Sequence, residues 1–596
     1  MLHALSDARR MKGIVVSEPG AFRLVVDADS EQLVIDDLAL GRRDFDLCES
    51  PRATALVLGY PYRQGPRWVR ARDLLADYES TGTICPERVH GFFALVVRDK
   101  ISCRSMIVTD RFRGYDVYVA RAGGRLTISD SVESIARAVP ALHLDHQAVL
   151  EFLYFGFMFG DKTHFREVRK APCATMLTVE RGPMLREQVY WSYGSDRDHG
   201  DAIDEEAVGK MFLEHMDDCF ELSPSAALTL TGGRDSRSVL AACLDHKERL
   251  RCFTFGHRAS RDIRFAKRIC SSLGVRHTSY LIESELSHDL PAEAGTVASR
   301  SSGMINSILF SHLEPVYRKE GDAGGILLTG IATDLHRGYW VKNNAGAPVG
   351  PSEVIDHGMR SIRTNRLTGL VSGMDDRSVD RSLRASVSEA LEETDMPEPS
   401  RSEYFLFRER ASNFSTYFVS QAGRHMDLWD TWLYAPLIDV LGRVDLQTRT
   451  EEKIQWALIQ RAGGTLANTI STHGFWFRSG PPGPRQAIDS ALIHSGNFSR
   501  KAINRLGRAT LGREPAKANY TVHYADLLAR RYPEFIESTL QHEDMALRDL
   551  IDRNTLRTNT ELLLRGYGSV CHGVTNVMCL ELWLKRICKL TPVSID

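Results

Sequence analysis

The stretch Ala226-Ala-Leu-Thr-Leu-Thr231-Gly232-Gly233-Arg234-Asp235-Ser236-Arg237 decides the fold class of this chain. It predicts a buried strand, a glycine turn and the start of a helix. Paired glycines let a backbone approach phosphate oxygens closely, and a helix N-terminus offers free N–H groups and a favourable dipole. Thr231 and Ser236 add hydroxyl donors, whereas Asp235 beside an anion indicates an intervening divalent cation such as Mg²⁺. The stretch therefore predicts a phosphate-binding loop, and it is not a P-loop because GxxxxGK followed by Ser or Thr is absent.

Downstream of this loop, apolar runs of strand length alternate with helical stretches, a pattern typical of a parallel sheet. The predicted elements are strands at Ala226–Leu230, Arg251–Phe255, about 277–281 and Ile326–Leu328, and helices at about 234–244 and 262–273. From about residue 401, long helical patterns dominate. We therefore expect a doubly wound α/β domain with a helical extension.

A second loop has the same design as the first. Leu327-Leu-Thr329-Gly330-Ile331-Ala332-Thr333-Asp334 again places a Thr-Gly turn and an aspartate after a strand. Ligands of open α/β sheets bind at the carboxyl ends of the strands. The two loops therefore predict that Asp235 and Asp334 each offer a carboxylate to the same magnesium ion.

The N-terminal third of the chain has a different pattern. From about residue 11 to 192, short alternating segments such as 92–97 (FFALVV) and 125–129 (RLTIS) are separated by Gly, Pro and Asp, which predicts a β-rich layered α+β domain. Residues 193–206 are polar and acidic, as in a linker. We place domains at 1–195 and 205–596. The apolar stretch 149–160 (VLEFLYFGFMFG) contains Glu151 and is too short to span a membrane, so we predict a buried helix.

Composition narrows the classes of partner. The 75 Lys and Arg residues nearly cancel the 77 Asp and Glu residues, so no global field favours nucleic acid or a membrane. A small-molecule or peptide substrate is the expectation. The N-terminus lacks the apolar core of a signal peptide, and the 11 cysteines are scattered without metal-ligand spacing, which together favour the cytoplasm. Cys571 lies beside His572, where we predict a packed cysteine rather than a catalyst.

Several motifs together resemble the asparagine synthetase family of the glutamine-hydrolysing type. TGGRDS resembles the family's SGGxDS pyrophosphate loop, and Thr329–Leu335 (TGIATDL) resembles its SGEGSDE loop. Phe253–Gly256 (FTFG) with the following helix, and Tyr434–Asp439 (YAPLID), are similar to further family segments. In the N-terminal half, three stretches and a Tyr-Trp pair resemble the Ntn-type glutaminase domain of the family. They are HGFFALVVRD (90–99), DRFRG (110–114), KTHFREVRKAP (162–172) and Tyr190-Trp191.

This resemblance implies a PP-loop synthetase domain that uses ATP and Mg²⁺. In the family, ATP activates a carboxylate as the acyl-AMP, pyrophosphate leaves, and an amine or ammonia attacks. Carried over by position, Asp235 and Asp334 would be catalytic and bind magnesium. Thr231, Gly232, Gly233 and Ser236 would hold pyrophosphate, and Phe255, Gly256, Thr329 and Gly330 would line the AMP portion.

The N-terminal half departs from the family at its nucleophile. The family's glutaminases use a cysteine at position 2, whose α-amine becomes the base once Met is removed. Leu2 stands there, and the first cysteine is Cys48. The Asn-Gly-Glu that grips glutamine is replaced by Leu58-Gly59-Tyr60. These two independent losses predict that the glutaminase-like domain is inactive.

The synthetase half departs as well. Ile331 and Leu335 replace both glutamates of the second loop, and Arg237 extends the first loop where the family has Ser. The stretch 468–480, where the family has a transition-state lysine, contains none, and Arg478 is the candidate replacement. The basic segment Arg500–Lys517 indicates a peptide- or carrier-binding element or, with more weight, a solvated helical face.

Lasso peptide cyclases and β-lactam synthetases resemble this combination of an inactive glutaminase domain and an adenylating domain. We therefore expect an amide-forming ligase of specialised biosynthesis that takes a small-molecule or peptide carboxylate and an amine. An ammonia-dependent asparagine synthetase and a catalytically silent nucleotide-binding homologue stay open as alternatives. A homodimer or a biosynthetic partner protein also stays open.

Overall fold

The computed structural model describes most of the chain. The described residues are 14–15, 22–26, 31–35, 44–180, 182–194, 203–285, 289–338, 352, 355–356, 359, 363–394, 400–472, 474, 484–511 and 523–595. Both nucleotide loops predicted from the sequence fall within these ranges. Leu2, Arg478, most of the predicted linker and the end of the basic segment (512–517) lie outside them.

Strands are concentrated in the first 330 residues. In chain order they are β1 (Ile14–Val15), β2 (Phe22–Val26), β3 (Glu31–Ile35), β4 (Phe45–Glu49), β5 (Ala53–Gly59), β6 (Tyr62–Arg63), β7 (Arg67–Trp68), β8 (Phe93–Asp99), β9 (Arg104–Thr109), β10 (Tyr118–Ala122), β11 (Arg125–Ser129), β12 (Leu142–His143), β13 (Val168–Lys170), β14 (Thr175–Glu180), β15 (Met184–Val189), β16 (Ala226–Thr229), β17 (Leu250–Gly256), β18 (Arg276–Leu281), β19 (Ile326–Leu328), β20 (Asp427–Leu428) and β21 (Val593–Ser594).

Helices connect the strands and form most of the C-terminal third. In chain order they are α1 (Ala71–Thr81), α2 (Val132–Ala136), α3 (His146–Phe155), α4 (Glu205–Leu222), α5 (Asp235–Ala242), α6 (Arg261–Leu273), α7 (Ile282–Glu285), α8 (Leu290–Arg300), α9 (Leu313–Asp322), α10 (Thr333–His336), α11 (Asp376–Glu392), α12 (Ser400–Phe405), α13 (Thr416–Ser420), α14 (Ala435–Asp439), α15 (Leu446–Thr450), α16 (Lys453–Arg461), α17 (Gly464–Asn468), α18 (Pro484–Leu511), α19 (Tyr524–Arg531), α20 (Pro533–Thr539), α21 (Arg553–Leu564) and α22 (Cys571–Ile587). A π-helix, Leu406–Ser415, joins α12 to α13.

The N-terminal half is a sandwich of two six-stranded sheets, ordered β1-β3-β2-β11-β10-β13 and β15-β14-β9-β8-β5-β4. Alternate residues of β5 point to opposite faces, as the strand period of two requires. Leu56 and Leu58 face the core between the sheets, whereas Ala55 and Val57 pack under α1 on the outer side. The predicted layered α+β domain is confirmed.

The C-terminal half is built on a five-stranded sheet in which every pairing is parallel, with the order β18-β17-β16-β19-β20. Leu228 belongs to the apolar core on one face and Ala227 to the core on the other. Because both faces are covered, these strands are continuous apolar runs. The predicted doubly wound α/β fold is therefore confirmed, and β20 is a fifth strand that the sequence did not reveal.

Two predicted boundaries differ from the structure. The helix expected over 149–160 begins earlier, where the Asp145 side chain accepts from the Ala148 N–H, and it ends at Phe155. Gly156 stops it with a left-handed backbone (φ 79°), and the aromatic residues that follow are buried without being helical. The linker predicted to run to residue 206 is shorter, because Asp204 caps α4 from Glu205 onward.

Several contacts fix the two halves together. The Tyr60 hydroxyl donates to the Gly423 carbonyl (2.5 Å), and the Tyr62 hydroxyl donates to Asp430 (3.0 Å). The chain end returns to the N-terminal half, where β21 pairs in parallel with β12. Within the described ranges, no helix is long and apolar enough to cross a membrane.

Candidate nucleotide-binding site

The candidate site lies where the strand order of the parallel sheet reverses. β16 is flanked by β17 on one side and β19 on the other, so the chain leaves β16 and β19 towards opposite faces. A crevice forms at the carboxyl ends of strands at such a switch point. Residues 231–235 follow β16 and residues 329–334 follow β19, which places both predicted loops at this crevice.

The first loop is a compact turn held by its own hydroxyl groups. The Thr231 N–H donates to Ser236 Oγ (3.0 Å), and the Gly233 N–H donates to Thr231 Oγ1 (3.2 Å). The two hydroxyl oxygens lie 3.1 Å apart. These contacts present the N-terminus of α5 to the crevice and preorganise the loop.

Gly232 is the most tightly packed residue of the turn. A Cβ at this position would come within 2.2 Å of Thr472 Cγ2. Its N–H donates to Asp262 Oδ1 (2.9 Å), at the start of α6. Asp262, which the sequence analysis did not select, is thus an acidic residue at the phosphate loop.

Arg237 explains one of the departures noted in the sequence. Its side chain is completely buried, and its guanidinium donates to the carbonyls of Leu466, Thr469, Ile470 and Gly232. Burial lowers its pKa to about 9. The arginine therefore fastens segment 466–470 to the loop.

We expect Arg237→Ser, which restores the residue type of the resembled motif, to destabilise the protein by roughly 3 kcal/mol, because buried carbonyls lose their donors. Urea unfolding measures the change, with exposed Arg268→Ser on α6 as the matched control. Equal stability of the two variants would contradict this role.

The two predicted aspartates share one guanidinium. Arg337 Nη2 lies 3.5 Å from Asp235 Oδ2 and also pairs with the Asp334 carboxylate. Arg337 Nη1 lies 3.6 Å from Glu452, which itself pairs with Arg234. Burial raises the pKa of the Asp235 carboxyl to about 6, and the nearby Asp334 acts in the same direction while Arg337 opposes it. The structure thus brings both carboxylates into one charged cluster.

The second loop is pressed against the first. A Cβ on Gly330 would lie 2.6 Å from the Ser236 backbone nitrogen. Thr333 Oγ1 donates to the Gly330 carbonyl (2.7 Å), and Ala332 adopts a left-handed backbone (φ 66°). The close approach requires glycine at 330 and sets the spacing of the two aspartates.

A cavity of about 810 Å³ opens in front of the loops. This volume lies within the range of nucleotide and substrate pockets. Six predicted site residues line it: Thr231, Asp235, Phe255, Thr329, Gly330 and Asp334. Gly232, Gly233 and Ser236 shape the turn behind this wall, and Gly256 packs on Ser260 rather than lining the cavity. Arg478 lies outside the described residues.

The carboxylates at the two loops fit a magnesium ion whose remaining ligands are phosphate oxygens. Asp235 Oδ1 is buried and has no hydrogen-bond partner in the described part of the chain. Mg²⁺ is commonly held by one or two carboxylates together with substrate phosphates. The described residues contain no group of three or more His, Cys, Asp or Glu that could hold a metal alone. Asp235 and Asp334 are therefore suited to a metal that arrives with its nucleotide.

Cys571 and His572 also line this cavity. Cys571 is buried, and burial raises its thiol pKa to about 12. Cys571 is thus buried, as predicted for a packed cysteine.

Two family models match segments of this chain. Residues 71–191 match the model described as "Glutamine amidotransferase domain", and residues 214–309 match "Asparagine synthase". The second segment contains the Thr231–Asp235 loop and the parallel strands β16, β17 and β18, but it ends before β19 and the second loop. The chain thus combines a segment similar to glutamine amidotransferase domains with a segment similar to asparagine synthases.

Curated relatives of this chain are distant. Proteins named "Putative asparagine synthetase (glutamine-hydrolyzing)" in Mycobacterium bovis and Mycobacterium tuberculosis are 23% identical over 235 residues, which is 36% of this chain and 34% of theirs. The match thus spans about a third of the length of these relatives.

Solved structures give only weak overall likeness. A glutamine-dependent NAD⁺ synthetase from Acinetobacter baumannii in complex with ADP matches 35% of this chain and 47% of its own, with 17% identity and a TM-score of 0.19. A glutamine phosphoribosylpyrophosphate amidotransferase from B. subtilis matches 44% and 59%, with 8% identity and a TM-score of 0.16.

Sequence reasoning missed three charged residues of this site. Arg337 follows Asp334 by three residues on one helical turn, a spacing that could have indicated an ion pair. Asp262 opens the helix after β17, and its position at a strand–helix junction was a usable signal. Glu452 is 115 residues beyond Arg337 and has no local signature.

Proposed function

We propose that this protein is an ATP-dependent carbon–nitrogen ligase that adenylates a substrate carboxylate and transfers the acyl group to an amine. The observation that carries the proposal is the pair of facing loops at the switch point of the sheet. Each loop contributes an aspartate to one cluster beside a cavity large enough for a nucleotide and a second substrate. The similarity of residues 214–309 to asparagine synthases supports the same reaction class.

In the proposed reaction a carboxylate oxygen attacks the α-phosphorus of ATP, and the bond to the β-phosphate oxygen breaks. Pyrophosphate leaves with the electron pair. The amine then attacks the carbonyl carbon of the acyl-AMP, AMP departs, and the nitrogen loses a proton. The amide bond is formed without any redox step.

The residues of the two loops have separate roles in this proposal. Thr231, Gly232, Gly233 and Ser236 form the pyrophosphate turn, while Phe255, Thr329 and Gly330 border the AMP portion. Asp235 and Asp334 would hold Mg²⁺, which supplies positive charge against the phosphates. Arg337 lies between the same carboxylates and would stabilise negative charge as pyrophosphate departs. This assigns to Arg337 the electrostatic role that the sequence suggested for Arg478.

The glutaminase-like half is proposed to be inactive and structural. Leu58 is completely buried, and Gly59 has φ 86° with the Tyr115 ring and the Phe92 carbonyl against it. Tyr60 is buried and reaches Gly423 in the other half. The segment that would grip glutamine is thus engaged in packing between the two halves.

We expect no glutaminase activity. Purified protein incubated with glutamine, with or without ATP, should release no glutamate above a heat-killed control. An amine or ammonium salt should be the only usable nitrogen source. Steady glutamate release that is abolished by a cysteine-directed inhibitor would contradict this prediction.

The ligase proposal is tested by ATP–pyrophosphate exchange with candidate carboxylates. Exchange that depends on an acid supports adenylation. If ATP binds tightly but no acid supports exchange or AMP formation, the chain is a silent nucleotide-binding homologue. Exchange with aspartate, and asparagine formation from ammonia, would identify an ammonia-dependent asparagine synthetase instead.

A further inference from the structure

The cavity lining contains two chemically different groups of residues. The first group follows strands β16 and β19 and carries hydroxyl and carboxylate groups, among them Thr231, Asp235 and Asp334. The second group consists of three phenylalanines, Phe310, Phe414 and Phe418. We call these three residues the aromatic wall.

The aromatic wall is a connected cluster of rings. The ring centroids of Phe310 and Phe418 are 4.5 Å apart, and those of Phe414 and Phe418 are 5.3 Å apart, both in edge-to-face geometry. Phe310 and Phe414 meet at 6.0 Å. Such pairs prefer these geometries and hold each other in place. The wall is therefore a preformed surface.

The surrounding chain fixes the position of this surface. The Tyr317 hydroxyl on α9 donates to the Phe418 carbonyl (3.0 Å). Phe414 lies at the end of the π-helix Leu406–Ser415, an uncommon element that is frequent at functional sites. All three rings pack on the main core, yet each remains only partly buried. Because the three rings line the cavity, part of their exposed surface faces it.

Two apolar residues of the cavity lining belong to the second loop. Ile331 and Ala332 follow Gly330 directly and line the same cavity. The resembled SGEGSDE loop has a glutamate where Ile331 stands. A short polar acid would find no partner at Ile331, whereas an apolar group would be desolvated there.

Arg410 also lines the cavity, with its guanidinium carbon 5.0 Å from the centroid of the Phe414 ring. A guanidinium over a ring face is attracted by the ring's electrons. This contact helps to hold the Phe414 ring in the aromatic wall.

Resting on the proposed function, we propose that the carboxylic acid activated here carries a bulky aromatic or branched apolar group that binds against the aromatic wall. Its carboxylate then extends past Ile331 and Ala332 to the α-phosphate side of the cavity. Aspartate and other short polar acids are excluded by the same surface. Phe310, Phe414 and Phe418 are thus specificity-determining residues.

The test compares 3-phenylpropanoate and 4-methylpentanoate with succinate and aspartate. ATP–pyrophosphate exchange measures activation, and equilibrium binding in the presence of a non-hydrolysable ATP analogue measures recognition separately. We expect the two apolar acids to bind, and to support exchange, at least about tenfold better than the polar pair, since an extra buried ring or branched chain changes affinity by this order.

Phe418→Ala should weaken binding of 3-phenylpropanoate about tenfold and raise its KM more than it lowers kcat. Phe310→Ala should act in the same direction. Phe498→Ala is the matched control, because Phe498 is 77% exposed on α18 and does not line the cavity. It should leave both measurements unchanged.

The outcomes separate this inference from the proposed function. Exchange with aspartate but not with the apolar acids would overturn the inference and leave the ligase intact. Apolar acids that bind, lose affinity in Phe418→Ala and yet support no exchange would uphold the inference and overturn the ligase. Apolar acids that neither bind nor exchange would overturn the inference.

Discussion

Asp235→Asn and Asp334→Asn should each reduce ATP–pyrophosphate exchange by about 10²–10³. Each carboxylate would help to neutralise charge that builds on the leaving pyrophosphate, and the loss of one such electrostatic contact commonly costs this much in rate. The two aspartates pair with the same Arg337 and line one cavity, so both losses fall on a single cluster.

The double variant tests whether the aspartates act as a unit. If they serve one metal ion, the double substitution should cost much less than the product of the two single losses. Melting temperatures should change little, because neither side chain belongs to the apolar core. Near-normal exchange in either single variant, or unfolding in both, would contradict the shared-magnesium model.

Arg337→Met should reduce exchange by about 10² while Arg337→Lys retains part of the activity. Methionine keeps the apolar stem but removes the positive charge between Asp235, Asp334 and Glu452. Lysine restores the charge without the planar fork that can reach several carboxylate or phosphate oxygens. The loss should appear mainly in the maximal rate, since the charge is needed most as pyrophosphate leaves.

A matched control separates catalysis from simple charge removal. Arg318 on α9 is half-exposed, does not line the cavity, and pairs with acidic neighbours. Arg318→Met should leave exchange unchanged. If Arg337→Met instead tightens MgATP binding and preserves the exchange rate, Arg337 is only a counter-ion that the nucleotide displaces.

The sequence was most informative where local signals were strong. β19 has the predicted bounds, and the glycine turn after β16 forms a loop at the switch point. Continuous apolar runs and glycine–aspartate turns are properties of neighbouring residues, so a single sequence shows them. The same reasoning predicts Asp235 and Asp334 at one site, and in the structure Arg337 contacts both carboxylates.

The rest depended on contacts between distant segments. In the aromatic wall, Phe310 contacts Phe414, which is more than 100 residues further along the chain. Glu452 and Arg337 are separated by a similar number of residues. From the sequence, Arg237 is a departure from the family motif. In the structure its guanidinium donates to four backbone carbonyls, so the residue has a structural role. The helix predicted over 149–160 was wrong at its C-terminal end. A continuous apolar stretch indicates burial but does not show where a helix ends, and Gly156 ends this one.

Labelled pyrophosphate tests most directly whether the acid is activated as an acyl-adenylate. With MgATP and 3-phenylpropanoate, label should enter ATP only when the acid is present. Addition of an amine should then convert ATP to AMP and pyrophosphate. Formation of ADP and orthophosphate as the acid is consumed, with no label in ATP, would contradict adenylation of the acid.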